Sequence, residues 1–367
     1  MTATASDRVL PVPPPGRYGA SPVDAYRHTM SFGSLLRYLK IKLHHLIDIR
    51  DWSRIRVVGA YDRNCVVSTA EKNDKLFNWQ RPTAEPDGDE LIVKCFPGTE
   101  YVHHYALIIA TYLSMRGRYH GQVYYELPAE AQCQAAVDQL NIGIGGSELV
   151  VVGWGLGHLV PDAAWTYGHG YAWCRTAVEG RPVLYLGYLH SIWGDVAGRV
   201  VSRLAALGAR QVVYVGKVGS LDPAIAPNTS LATGNHSILH NQHVTWHDYF
   251  GGLAVAQGGV VTGTHVSSPS ILLEGQDWLR TQQGRSFVDP EIGHMGRAAA
   301  DACIAFGYLH VVSNNLARTY AADLSNERIG TVVERRARLL DRIDSILRLR
   351  LRQPDPHPTT NDRSNPL

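Results

Sequence analysis

The pattern that most narrows the fold of this chain is a strand–helix–strand cycle in its second half. Pro182–Tyr188 is a continuous apolar run. Asp195–Leu207 then carries Val196, Val200, Val201, Leu204 and Leu207 on one helical face, and Gln211–Val215 is a short β-branched run. Gly208 stands where the helix should stop, since glycine enters the left-handed conformation that closes helices without a Cβ penalty. Two strands joined this tightly through one helix should be parallel and covered on both faces. The cycle recurs. Gly293–Phe306 reads as a helix ended by Gly307, Tyr308–Ser313 as the next strand, and Glu327–Leu351 as a long closing helix striped by Ile329, Val332, Val333, Leu340, Ile343 and Leu347. Leu149–Val152, ending in Gly153, adds a further buried strand. The expected class is α/β with a central, mostly parallel sheet. Ligands of such sheets sit at the carboxyl ends of the strands, here after Val152, Tyr188, Val215 and Ser313.

At about 150 residues per domain, a chain of 367 residues suggests two domains, and the pattern sets their boundary near Ser147. Residues 1–29, with Pro11, Pro13, Pro14, Pro15 and Pro22, read as a flexible arm, and residues 353–367 as a disordered Pro-rich tail. Residues 30–147 read as an N-terminal α/β extension of unassigned role. Ser31–Ile49 has a helical apolar stripe with a basic face of Arg37, Lys40, Lys42 and His44. That face is read as solvated, with membrane-surface contact as the alternative. Ile55–Val58, Cys65–Val67, Leu91–Phe96 and Gln122–Glu126 are strand-like, Tyr101–Met115 is helix-like, and RPTAEPDGDE from Arg81 looks like a linker. No chemistry-bearing motif stands out in residues 30–147.

Lys+Arg 35 against Asp+Glu 33 leaves a net charge of +2, which argues against a nucleic-acid coat, because phosphate neutralisation needs a basic excess. Five scattered cysteines with no Cys-x-x-Cys pair read as reduced thiols. The N-terminal residues lack the apolar core of a signal peptide, and no run is long enough to span a bilayer. A cytoplasmic protein without a membrane partner is expected.

The strand ends read VVVGWGLGHL from Val150, LYLGYLHSIWGD from Leu184, VVYVGKVGSL from Val212, FVDPEIGHMGRAAADA from Phe287 and LHVVSNNLA from Leu309. In this order they resemble the nucleoside phosphorylase/nucleosidase superfamily, over about residues 147–350. GWGLGHL looks like that family's Gly-Ser-Gly-Leu-Gly phosphate turn, VDPE like its Val-Asp-Met-Glu ribose motif, and SNN like its Ser-Asp or Ser-Asn base motif. The resemblance implies a three-layer phosphorylase-like domain over residues 148–352. It also implies cleavage of the bond between ribose C1′ and a base nitrogen.

By that resemblance Glu291, beside Asp289, takes the ribose hydroxyls, as a carboxylate can accept two at once. Asn314 meets the base, with Asn315 as the register alternative. An Asn amide both donates and accepts, which suits a 6-oxopurine better than adenine. Gly216 and Gly219 give backbone access to the ligand. Lys217 and His190 attend the nucleophile or a phosphate, and Trp154 is a stacking surface. Where relatives have a phosphate-binding Ser and arginines, this chain has Trp154, Tyr188 and Tyr214, so hydrolysis is placed slightly ahead of phosphorolysis. No cofactor is expected beyond inorganic phosphate as a co-substrate. The partner is a small nucleoside or nucleotide, and self-association into a homo-oligomer is expected.

The alternatives are a sensing protein that kept the pocket and lost turnover, and a nucleic-acid-associated effector. His236, His240, His243 and His247 have spacings that would share one helical face and suit a metal, but SILHNQHVTW reads partly as strand. They are read as loop or core histidines, and no metal site is assigned.

Overall fold

The computed structural model describes residues 16–145, 148–318, 320 and 329–354. The expected boundary at Ser147, residues 1–15 of the arm and residues 355–367 of the tail lie outside these.

The first half is built on a five-stranded sheet of β1 (Arg17–Gly19), β2 (Arg54–Val58), β3 (Thr83–Asp87), β4 (Glu90–Lys94) and β5 (Val123–Glu126), in the order β1-β5-β2-β4-β3. The three inner strands are parallel and the two edges antiparallel. The helices of this half are α1 (Phe32–Lys40), α2 (Thr99–Met115) and α3 (Glu130–Asp138). Along α2, Val102, Tyr105–Ala110 and Leu113 are all buried, so this helix is the centre of the first core and not a surface element.

Several sequence expectations change here. The linker-like segment is a hairpin: β3 and β4 pair antiparallel around Gly88, whose φ of 56° few other residues adopt. Cys65–Val67 contributes only an isolated bridge, Val66 to Ala84. The helix expected to reach Ile49 ends at Lys40, and a short 3₁₀ turn, His45–Ile47, follows. His44 is not on a solvated basic face. It is fully buried, its Nε2 lies 3.1 Å from Val66 O, and burial pulls its imidazole down to about 4, leaving it neutral.

The second half carries a twelve-stranded sheet. Its strands are β6 (Leu149–Gly153), β7 (Thr166–Tyr167), β8 (Tyr171–Val178), β9 (Arg181–Tyr188), β10 (Gln211–Ser220), β11 (Leu231–Thr233), β12 (His236–Leu239), β13 (Gln242–Thr245), β14 (Val260–Thr262), β15 (His265–Ser267), β16 (Phe287–Asp289) and β17 (Ala305–Asn315). Its helices are α4 (Leu156–Leu159), α5 (Asp195–Ala206), α6 (Leu253–Ala256), α7 (Gln276–Thr281), α8 (Ile292–Asp301) and α9 (Gly330–Leu351). The centre, β9-β6-β10-β17, is parallel throughout. Alternate residues of each strand serve opposite faces. Val150, Val152, Leu184 and Leu186 pack with α5 and α8, while Leu149, Val151, Val183 and Tyr185 pack with α4 and α9. This is the expected α/β, three-layer arrangement.

The helix expected to run to Phe306 stops at Asp301. Cys303 takes a left-handed φ of 53°, and Phe306 is already a buried residue of β17. β8, unread in the sequence, is an antiparallel neighbour of β9 through a Glu179–Gly180 turn. Among the described residues no helix is long and apolar enough to cross a membrane, and all five cysteines are unpaired.

Candidate functional site

The turn after β6 is fixed by its glycines. Gly153 has φ 124°, and a Cβ there would stand 2.1 Å from Val215 O on β10. Trp154 N donates to that same carbonyl at 2.7 Å. Gly155, at φ 77°, lies against Leu340 of α9. The chain is therefore wedged between β10 and α9 as it enters α4.

Beside this turn, where β9 and β10 end and α8 begins, opens a cavity of about 430 Å³. Trp154, Tyr188, His190 and Glu291 line it, as does Tyr214. Two further walls were not read from the sequence. One is Lys75–Asn78 from the first half, and the other is the Val333, Arg336 and Leu340 face of α9. The segment carrying Lys75–Asn78 is bonded to the end of β9: Asn78 N donates to Tyr188 O at 2.9 Å and Trp79 N to Leu189 O at 3.0 Å. Nothing local in the residues around Lys75 marks a site. Only the long-range docking of the first half onto the second creates it.

Gly216, Lys217, Gly219, Asp289 and Asn314 are not part of the cavity lining; the three β10 residues follow Tyr214 along that strand, and Asp289 and Asn314 stand on β16 and β17, which pair with it. Lys217 Nζ lies 5.1 Å from the centroid of the Trp154 ring. Gly216 faces His310, with room for no Cβ: one would come within 2.6 Å of Nε2. Gly219 pairs with Val288 on one side and with Asn314 on the other. Asn314 Oδ1 accepts from Ser313 Oγ at 3.0 Å. Asn315 has a different task. Its Nδ2 donates to Asp222 O at 2.7 Å and to Ile225 O at 2.9 Å, tying down the loop after β10.

Asp289 holds the start of α8: its Oδ1 accepts from Glu291 N at 2.9 Å and Ile292 N at 2.8 Å. Burial pushes this carboxyl up, but His265, 3.0 Å away, His310 and the Ile292 N–H outweigh it and hold it below the usual range. Glu291 is driven the other way. Burial first, then the charges of Asp289 and Glu100, raise its carboxyl well above the usual range, with Lys42 opposing. The two carboxyls are thus driven in opposite directions, Glu291 toward its protonated form and Asp289 toward its charged form. His190 stacks on Phe96, ring centroids 3.4 Å apart, and burial lowers it to about 4. It is therefore a neutral imidazole at ordinary pH. Burial also lowers Lys42 to about 7, helped by Arg81, Lys72 and Lys217 nearby.

The four histidines do not share a helical face. They lie on and beside the β12–β13 hairpin, where residues alternate sides. His236 Nε2 lies 2.8 Å from His243 Nδ1, while His240, in the turn, reaches away to Glu100.

No family model matches the chain. A curated fungal protein, Oxidoreductase cns1 of Cordyceps militaris, is 28% identical over 265 residues, which is 62% of this chain and 33% of that protein. The chain thus spans about a third of the length of the curated relative it matches. Among solved structures, uridine phosphorylase from Vibrio fischeri aligns at 13% identity over 57% of this chain and 93% of its own, with a TM-score of 0.46. Futalosine hydrolase of Helicobacter pylori aligns at 14% identity over 54% and 97%, with a TM-score of 0.43. A 5′-methylthioadenosine/S-adenosylhomocysteine nucleosidase from Colwellia psychrerythraea aligns at 14% identity over 56% and 98%, with a TM-score of 0.42. The strand order and layers described above stand on their own geometry.

Proposed function

We propose that this chain cleaves the N-glycosidic bond of a nucleoside or nucleotide at ribose C1′, with a purine-type base. The observation that carries the reading is the register around Gly219. Val288, which leads into Asp289 and Glu291, and Asn314 flank this glycine on opposite strands. Two strand spacings separate them by about 10 Å, the span of a ribose joined to a base. In this reading Glu291 meets the 2′- and 3′-hydroxyls. Asn314 holds the base and takes the charge that develops on it as the C1′–N bond breaks. The nucleophile is water, with inorganic phosphate as the alternative co-substrate. Lys75 and Arg336 in the cavity wall support a phosphate on the ligand. The enzyme is proposed as a cytoplasmic homo-oligomer.

The oxidoreductase name of the fungal relative belongs to a protein about three times as long as the matched segment. Here the Gly153–Gly157 turn opens only the four-residue α4, whereas a dinucleotide's pyrophosphate rests on the start of a full helix that follows such a turn. The glycosidic reading is therefore preferred.

A second reading is favoured by the neutral, stacked His190 and by the tyrosines at Tyr188 and Tyr214: a protein that binds the nucleoside without turning it over. Incubation with a panel of nucleosides and nucleotides, with and without phosphate, tests both. Free base and ribose or ribose phosphate are expected by chromatography. Calorimetric binding with no base released from any panel member would overturn cleavage in favour of sensing.

A further inference from the structure

Three side chains from three separate elements converge at the junction of the two halves. Glu100 comes from the first turn of α2, His294 from the first turn of α8, and His240 from the turn between β12 and β13. Glu100 Oε1 lies 2.9 Å from His294 Nε2 and 3.2 Å from His240 Nε2, and one donor atom of each residue lies within 4.8 Å of the others. Donors held about 2.0–2.1 Å from a common zinc ion stand about 2.9–3.4 Å apart at angles of about 90–110°. Both oxygen–nitrogen spacings fall in that interval, and the two nitrogens lie within 4.8 Å of each other.

Further observations point the same way. Glu100 is only 4% exposed, yet among the described residues its second carboxylate oxygen has no hydrogen-bond partner. A buried oxygen of this kind costs free energy unless a cation or donor meets it. The backbone also holds the three groups in place. Asp195 accepts from Thr99 N and Glu100 N at 3.2 Å each, setting the start of α2. Gly194, at φ 58°, lies so close that a Cβ would stand 2.1 Å from Glu100 Oε2. His240 adopts a left-handed φ of 49°, uncommon for a residue with a side chain, and this aims its ring inward from the turn. The neighbouring pair His236–His243 has its nitrogens bonded to each other at an exposed position, and no third ligand joins them among the described residues.

We propose that Glu100, His240 and His294 form a site for one divalent transition-metal ion of zinc type, which clamps the first half of the chain onto the second. Two imidazole nitrogens and one carboxylate oxygen are a zinc-like donor set, with a fourth position left for water. The His240 side chain, 37% exposed, provides the way in from solvent. The site does not depend on the glycosidic reading.

The test uses the untagged full chain, stripped with chelator and dialysed against zinc chloride at micromolar concentration. Elemental analysis is expected to find about one zinc per chain. Cobalt(II) in its place should give the visible absorption of a four-coordinate site. His240→Ala removes an accessible turn residue, so the fold should survive, as circular dichroism will confirm. This variant and Glu100→Gln should retain less than a tenth of the metal, while His243→Ala retains all of it. Zinc should raise the unfolding temperature of the wild type and leave that of His240→Ala unchanged. Sub-stoichiometric zinc in the wild type, or full retention in His240→Ala, would mean that the three groups are only a hydrogen-bonded junction. Loss of metal in His243→Ala would mean the hairpin histidines bind it. Either result overturns the proposal.

Discussion

Asp289 and Glu291 are separated by a single residue, and each sets the protonation of the site in its own way. His265 and the helix backbone hold Asp289 toward its charged form through Oδ1, while Oδ2 has no hydrogen-bond partner among the described residues, and the Asp289 charge in turn pushes Glu291 toward its protonated form. Glu291→Gln keeps the shape of the protonated carboxyl toward which burial drives this residue, so stability should change by less than about 1 kcal/mol. Its amide can still meet the ribose hydroxyls, so turnover should stay close to wild type. Glu291→Ala removes the group altogether, and turnover should fall about a hundred- to a thousandfold. Base release and thermal unfolding, measured on the same preparations, check this. Wild-type turnover in Glu291→Ala would remove the residue from the chemistry.

The adjacent asparagines on β17 separate a binding role from a structural one. Asn315 ties down two carbonyls of the loop after β10, so Asn315→Ala should destabilise the protein by about 1–2 kcal/mol. The Asn314 side chain accepts from the Ser313 hydroxyl of its own strand end and ties down no loop carbonyl among the described residues. Asn314→Ala should stay within about 0.5 kcal/mol of wild type and lose its preference among bases. Denaturant melts and competition between 6-oxo and 6-amino nucleosides distinguish the two. If both variants lose only stability, Asn314 does not read the base.

Gly153 is a case in which close approach and backbone angle agree. Its φ of 124° is strained for any L side chain, and an added methyl would stand 2.1 Å from Val215 O, a backbone atom held in the central sheet. Gly153→Ala should therefore cost more than about 3 kcal/mol, above most point substitutions, and open the cavity wall at Trp154. A melting temperature near wild type would show that the turn can relax.

The central layer was legible in the sequence because its signals are local. Leu149–Val152 is one continuous apolar run, as a strand covered on both faces requires, and the stripe from Val196 to Leu204 faces one side. Such local patterns report burial directly. Helix ends were less so. Cys303 closes α8 in a left-handed conformation that nothing in its residue type announces, and the sheet then starts at Ala305, ahead of Tyr308. The walls supplied by Lys75–Asn78 and Arg336 could not be read at all, since they reach the cavity only through contacts across about a hundred residues or more of chain. The same holds for Glu100. It looks like an ordinary acidic residue at a helix start, and its partners, His240 and His294, lie far along the chain.

One buried acid gives a pH test that is independent of catalysis. Glu274 is 4% exposed, and its carboxyl is raised to about 8, chiefly by burial, with Asp289 adding to the shift and the Ser268 hydroxyl opposing it. The folded chain thus keeps a proton that the unfolded chain, with an ordinary carboxyl near 4.5, releases. Because the folded state binds more protons, unfolding free energy must fall as pH rises through this interval. The contribution is fully present below about 4.5 and lost as pH passes about 8. A shift of that size corresponds to about 3–5 kcal/mol. Glu274→Gln keeps the neutral shape and cannot ionise, so its stability relative to wild type should rise steadily from about pH 5 to about pH 8 and level off above. Urea melts of both proteins across this range measure the difference directly. A flat difference would show that Glu274 ionises normally in the folded chain.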